Sequence, residues 1–279
     1  MTETTIVEST QEPEPALRFL INLIIRPARA FQALAERGTK GWILVGLFVL
    51  IFTVLPIIVA APITRERILE SMRAVQQVEI TPAPGPGAPA GQPTPPAEPP
   101  PEVTQFVANP LFTVVIPSIT AILGVIIGWA FWAGALHLLA VFLGGRSAFG
   151  KMFQGVVAAS LPTGLRGLFQ TLYITATHSL IENPGLSGLV PLNTKDPTQM
   201  FASPPPLSRI ILHNLLGRID IFTVWSLFLT TLAVWAIARL NKRKAFLIVL
   251  GVWILVTLLI LIPTLIPFLF MGGMTSLGG

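Results

Sequence analysis

Five stretches of this 279-residue chain are too long and too apolar for a fold built around an ordinary water-excluded core. Residues 42–61, 111–143, 221–238 and 245–271 contain no Asp, Glu, Lys or Arg, and residues 152–177 contain one such residue, Arg166. A helix that crosses the hydrocarbon layer needs about 20 consecutive apolar residues. The sequence therefore predicts an all-α fold: a polytopic transmembrane helix bundle of five spans with amphipathic surface helices. Charged residues form only 11% of the chain, against about 25% in an ordinary soluble domain, which excludes a soluble globular protein. The chain has no cysteine, and this excludes disulfides, thiolate metal sites and a cysteine nucleophile.

Between the windows the composition changes sharply. Residues 1–15 are acidic and Pro-containing and read as a disordered tail. The membrane domain is expected over 16–272, interrupted by a Pro-rich linker over 78–105, with a short tail at 273–279. Leu17, Leu20, Ile21 and Ile24, then Phe31, Leu34 and Ala35 after Pro27, recur at helical spacing. They predict two short helices in the headgroup layer, with Arg18, Arg26, Arg29, Arg37 and Lys40 meeting anionic lipid; the alternative is a collar packed on the spans. No basic leader precedes them, so span 1 is expected to act as its own insertion signal.

Prolines and glycines punctuate the spans. Pro56 and Pro62 are expected to end or bend span 1, with a separate amphipathic helix beyond it carrying Ile68, Leu69, Met72 and Val75. Residues 81–101 hold ten prolines in 21 positions, a composition that forms no packed element. Span 2, at 33 residues, would be about 50 Å long against a hydrocarbon layer of about 30 Å, so it must tilt, bend near Pro117 or project. Gly124 and Gly128 form a GxxxG pattern that suits either close approach of a neighbouring helix or ordinary small-residue packing. Pro162 and Gly164 are expected to interrupt span 3, and Leu207, Ile210, Ile211, Leu215 and Ile219 to form a surface helix before span 4.

Charge sets the expected orientation. The N-terminal segment and the connections after spans 2 and 4 hold eleven Lys and Arg, whereas those after spans 1 and 3 hold six. The positive-inside rule then places the N-terminus in the cytoplasm and the C-terminus outside. An isoelectric point near 10.2 is explained by this topology without nucleic acid.

Ionisable groups inside a bilayer are costly and are the first functional candidates. Arg166 follows the expected break at Pro162, and Asp220 opens span 4, so an ion pair is one reading. Snorkelling of Arg166 to the headgroups and helix capping by Asp220 is the other. His178 and Glu182 stand at i, i+4, with His213 beyond them, but Pro184 and the lack of an HExxH pattern argue for helix-end residues rather than zinc ligands. His137 reads as a hydrogen-bonded interior or interface residue. Gly144 and Gly145 read as a helix-ending turn that presents Arg146 and Lys151 to lipid phosphate. No Walker loop, GxSxG or kinase signature is present. No enzymatic activity, cofactor, metal or nucleic-acid partner is expected.

The segment His137-Leu-Leu-Ala-Val-Phe-Leu-Gly144-Gly145-Arg146-Ser147-Ala-Phe149, then Pro162, then Asp220-Ile-Phe222-Thr-Val-Trp225 and the basic turn before span 5, resembles the Yip1 family of five-span membrane proteins. The opening Pro27-Ala-Arg-Ala-Phe31-Gln-Ala-Leu34 is similar to the family's lead-in, and the resemblance covers roughly residues 16–270 apart from the Pro-rich insertion. It implies a five-helix bundle with a cytosolic N-terminus. Eukaryotic members are associated with ER and Golgi traffic and with small Rab-type GTPases. This chain lacks an acidic-Leu-Tyr-Gly-Pro motif in its N-terminal region, and Tyr173 is its only tyrosine, so small GTPase binding is not carried over. The closer likeness is to the prokaryotic branch, which points to a bacterial cytoplasmic membrane, or to the ER or Golgi in a eukaryote.

These features favour a non-enzymatic protein that organises the membrane or binds other membrane proteins or itself. The alternative is a transporter or lipid or small-solute conduit, for which broken helices and an interior Arg166 would be useful.

Overall fold

The computed structural model describes residues 15–80, 101–192 and 205–275, and no strand element occurs among them. In chain order the helices are α1 (Ala16–Ile25), α2 (Pro27–Glu36), α3 (Gly41–Ile80), α4 (Pro101–Ala108), α5 (Ile116–Phe142), α6 (Phe149–Ala159), α7 (Leu161–Thr177), α8 (Leu207–Leu216), α9 (Ile221–Ala238) and α10 (Lys242–Thr275). Among the described residues four stretches are long and apolar enough to cross a membrane: Gly41–Arg73, Leu111–Phe142, Ile221–Ala238 and Lys242–Pro263.

The fifth apolar window is two helices rather than one. It divides at Ser160 into α6, of 11 residues, and α7, of 17. The Ser160 N–H donates to carbonyls at the end of α6, while its own carbonyl accepts the N–H of Thr163 at 2.9 Å, so one residue closes one helix and opens the next. Pro162 then falls in the first turn of α7, where a missing N–H leaves no gap in the ladder. Contrary to expectation, the break comes before Pro162, and Gly164 lies inside α7.

Span 1 also departs from expectation. Pro56 and Pro62 lie inside α3, which runs unbroken for 40 residues and includes the amphipathic segment expected to be separate. Transmembrane helices tolerate proline where neighbouring groups re-satisfy the backbone. In span 2, a π-helical turn, Leu111–Val115, widens the helix directly ahead of Pro117, and the Ile116 N–H reaches back to the Leu111 carbonyl. Asn109 Oδ1 accepts the Leu111 N–H at 2.9 Å and starts that turn. The segment expected as linker over 78–105 is helical at both margins, up to Ile80 and from Pro101, and residues 81–100 lie outside the described residues. The expected N-terminal tail lies outside them up to residue 14, and α10 takes in all but the last four residues of the expected C-terminal tail.

The chain forms two compact units. One comprises Met1–Leu50, Ile126–Thr163 and Trp225–Ile254; the other comprises Ile51–Val125, Gly164–Val224 and Leu255–Gly279. In the first, α2 packs against α1 and α6. Phe19, Leu23, Ala30, Phe31 and Leu34 are fully buried, so one face of the α1–α2 pair is a packed collar. Leu17, Ile24 and Ile25 on α1 are more than half exposed, which leaves an apolar edge suited to lipid. Lys151 Nζ donates to the Leu34 carbonyl at 2.8 Å, placing a cation on the last turn of α2, the negative end of its dipole.

Helix α5 ends in a Schellman motif. The Gly145 N–H donates to the Ala140 carbonyl at 2.8 Å and the Gly144 N–H to the Val141 carbonyl at 3.0 Å, with Gly144 at φ 86. The Arg146 N–H then donates to the Ala238 carbonyl at 3.0 Å, fastening this turn to the end of α9.

In the second unit α7 comes close to α3 at Gly167, where any Cβ would overlap the backbone carbonyl of Phe52. Pro56 cannot supply the N–H that would normally bond that carbonyl four residues back, so α3 and α7 meet where the α3 ladder lacks a donor. Gly124 and Gly128 play no such part, because a Cβ at either would meet nothing within 4 Å. Gly167→Val should lower thermal stability in detergent by about 1–3 kcal/mol through overpacking, whereas Gly124→Ala should leave it unchanged or raised; a denaturation series on the three proteins checks this.

Candidate functional site

Arg166 and Asp220 stand more than fifty positions apart in the chain and meet in the second unit. Asp220 immediately precedes α9 and caps it: Oδ1 accepts the Thr223 N–H at 2.7 Å. The other oxygen, Oδ2, pairs with Arg166 Nη2 at 3.0 Å, with side-chain exposures of 29% for the arginine and 14% for the aspartate. The ion-pair and capping readings of Asp220 are therefore both correct. The guanidinium of Arg166 is held by the pair in a partly buried position. Each oxygen of Asp220 has a fixed partner, so the carboxylate clamps α7 to the start of α9.

Phe169 of α7 and Phe222 of α9 pack against each other with ring centroids 5.8 Å apart, adding an apolar contact between the two helices. Both rings line a cavity of about 890 Å³ whose walls also include Arg166, Gln170, Tyr173, Glu182 and Asp220. Glu182 Oε1 is 3.5 Å from Arg67 Nη2, a half-exposed pair worth little to stability. The turn before Asp220 carries Arg218, whose partial burial pushes its pKa below the ordinary arginine value. An arginine so shifted still holds its proton at neutral pH.

The three residues weighed as metal ligands are not brought together. His178 follows α7 at φ 49, Glu182 faces Arg67, and His213 Nδ1 lies 2.9 Å from the Val190 carbonyl. No group of three His, Asp or Glu with metal-binding geometry occurs among the described residues.

The remaining sequence candidates lie in the first unit. His137 Nδ1 and Ser147 Oγ share a hydrogen bond of 2.9 Å across the Gly144–Gly145 turn, and the imidazole meets the Phe149 ring edge-on. This matches the hydrogen-bonded reading of His137 and stiffens the segment that presents Arg146. Trp225 is half-buried on α9. Pro162 is a buried first-turn residue of α7. Sequence reasoning passed over Gly167, because a lone glycine carries no motif. It also passed over Trp235, which stands in no pattern, and read Arg239 only as one charge of the basic turn that sets the orientation.

Four potential spans, two short helices packed beside them and an ion pair clamping one helix to the start of another define a polytopic helical membrane protein. The family model of the Yip1 domain matches residues 21–262, most of the chain, and the chain belongs to that family. No curated protein and no solved structure matches it.

Removing either partner of the clamp should cost about 1–3 kcal/mol, between the limits for exposed and buried pairs. Asp220→Asn should retain the cap and lose only the charge, so it should be less destabilising than Asp220→Ala by about 1 kcal/mol. Arg166→Leu and Asp220→Asn should be non-additive when combined, which a double-mutant cycle on the detergent-solubilised protein measures.

Proposed function

We propose that this chain is a non-enzymatic, five-span membrane scaffold that organises the bilayer or holds other membrane proteins, including copies of itself. The observation that carries the reading is the fate of Arg166, the one charge within an apolar window. A transport pathway or a catalytic centre would use such a group by leaving it available; here it is committed to a residue that also caps a helix. Cysteine is absent, and Asp220, the acid at the start of span 4, has both oxygens engaged.

The fifth crossing is made by α6 and α7 in series. At 17 residues, α7 alone is about 26 Å long, close to the thickness of the hydrocarbon layer. With the N-terminus in the cytoplasm, the Pro-rich segment and the connection around α8 lie on the outer side and the C-terminus is also outside. A bacterial cytoplasmic membrane is the location that fits the prokaryotic-type sequence.

The natural absence of cysteine makes the topology directly testable. A membrane-impermeant maleimide applied to intact cells should label Ala90→Cys and His178→Cys, and should label Gly150→Cys only after permeabilisation. Labelling of Gly150→Cys and His178→Cys from the same side would remove the fifth crossing. Crosslinking with mass spectrometry in native membranes should recover reproducible protein partners or self-contacts; their absence would overturn the scaffold reading.

A further inference from the structure

The first unit carries two adjoining cavities that share one wall residue, Trp235. The first, of about 850 Å³, lies among α2, the Gly144–Gly145 turn, the start of α6 and the end of α9, and its walls include Arg146, Lys151 and Arg239 against one carboxylate, Glu36. The second, of about 590 Å³, is lined by Phe228, Leu232, Trp235 and Phe246 on α9 and α10 and by Arg26 and Arg29 at the α1–α2 junction. Both volumes fall in the range of about 300–1,000 Å³ typical of ligand sites.

The cations at these cavities are not equivalent. Lys151 is committed to the Leu34 carbonyl. Lys242 Nζ sits 5.2 Å from the centre of the Trp235 ring, the residue the two cavities share, and lines the second of them. Arg146 and Arg239 are exposed, and their guanidinium groups have no partner among the described residues. Arg239 also stands at φ 54, a left-handed conformation that a side chain disfavours and glycine adopts freely. Strain of this kind persists where surrounding structure holds the residue, and it clusters at binding and catalytic sites. Arg146 is set in place by its own N–H bond to the Ala238 carbonyl, one residue before Arg239.

A polar basic chamber and an apolar trough that share Trp235 as a wall have, together, the two-part character of an anionic lipid. We propose that this corner binds one anionic glycerophospholipid, with its phosphate between Arg146 and Arg239, Lys242 beside Trp235, and an acyl chain along Trp235 and Phe228. Paired guanidinium groups are suited to phosphate because each offers parallel N–H donors and full charge. A zwitterionic lipid would bring a cation into a chamber that already holds an excess of positive charge. The inference rests on the membrane location of the family and on neither the scaffold reading nor the choice of leaflet, so failure of the topology test leaves it standing.

The test uses the full-length protein in detergent micelles doped with phosphatidylglycerol, with bound lipid counted by native mass spectrometry. One phosphatidylglycerol should remain bound at lipid concentrations where phosphatidylcholine does not. Arg239→Gly removes the guanidinium and relieves the backbone, so it should fold at least as well as the parent chain while binding phosphatidylglycerol about tenfold more weakly. Arg146→Ala should weaken it similarly, and Trp235→Ala should weaken it through the tail. Arg65→Gln removes one exposed cation from the other unit and should change nothing. The proposal is overturned if Arg65→Gln matches Arg239→Gly, since binding would then follow net charge. It is equally overturned if phosphatidylcholine binds as well, or if millimolar inorganic phosphate displaces the lipid, since the chamber would then be a site for free phosphate.

Discussion

The hydrocarbon layer offers no water to a backbone N–H or C=O, so each must find its partner within the protein. That constraint organises this molecule more than any single contact. It accounts for an architecture made of helices, and it governs how each helix is interrupted. Ahead of Pro117 the ladder widens to a π-turn, and at Ser160 one residue terminates α6 and initiates α7. After Phe142 two glycines return their N–H groups to the last carbonyls of α5. Where Pro56 leaves α3 short of a donor, α7 brings Gly167 against the Phe52 carbonyl.

Much of this architecture was legible in the sequence because its cause is local. Windows without charge locate helices that can span, and Gly144–Gly145 announces a left-handed helix end. The less legible part depends on partners distant in the chain. Pro162 marks the break in the fifth window only approximately, because a proline suits the first turn of a new helix better than the end of an old one. The GxxxG of α5 is a visible motif with nothing packed on it, whereas Gly167 has no motif and is where two helices meet. Asp220 shows a further limit. Capping and pairing were weighed as alternatives for one carboxylate, yet its two oxygens point to different partners and it does both.

Basic residues in this chain serve two opposed purposes. Arg166 is neutralised by a fixed acid and ties one helix to another. The cations at the turn between α9 and α10 are kept, although Lys242, Arg243 and Lys244 sit in the first turn of α10, where the helix dipole disfavours positive charge. A neutral residue caps that helix, Asn241 Oδ1 accepting the Lys244 N–H at 2.8 Å, and among the described residues no carboxylate pairs with the cluster. Such an arrangement sacrifices some helix stability, and it makes sense where an external negative surface supplies the missing charge.

The unbroken length of α3 has a mechanical consequence. Forty residues of helix extend about 60 Å, twice the thickness of the hydrocarbon layer. The crossing uses about half of that length, so the charged stretch from Arg65 to Arg73 belongs to the part of α3 beyond the hydrocarbon layer. That surplus gives the family's membrane domain a helical arm, and Arg67 on it reaches Glu182 in the connection after α7.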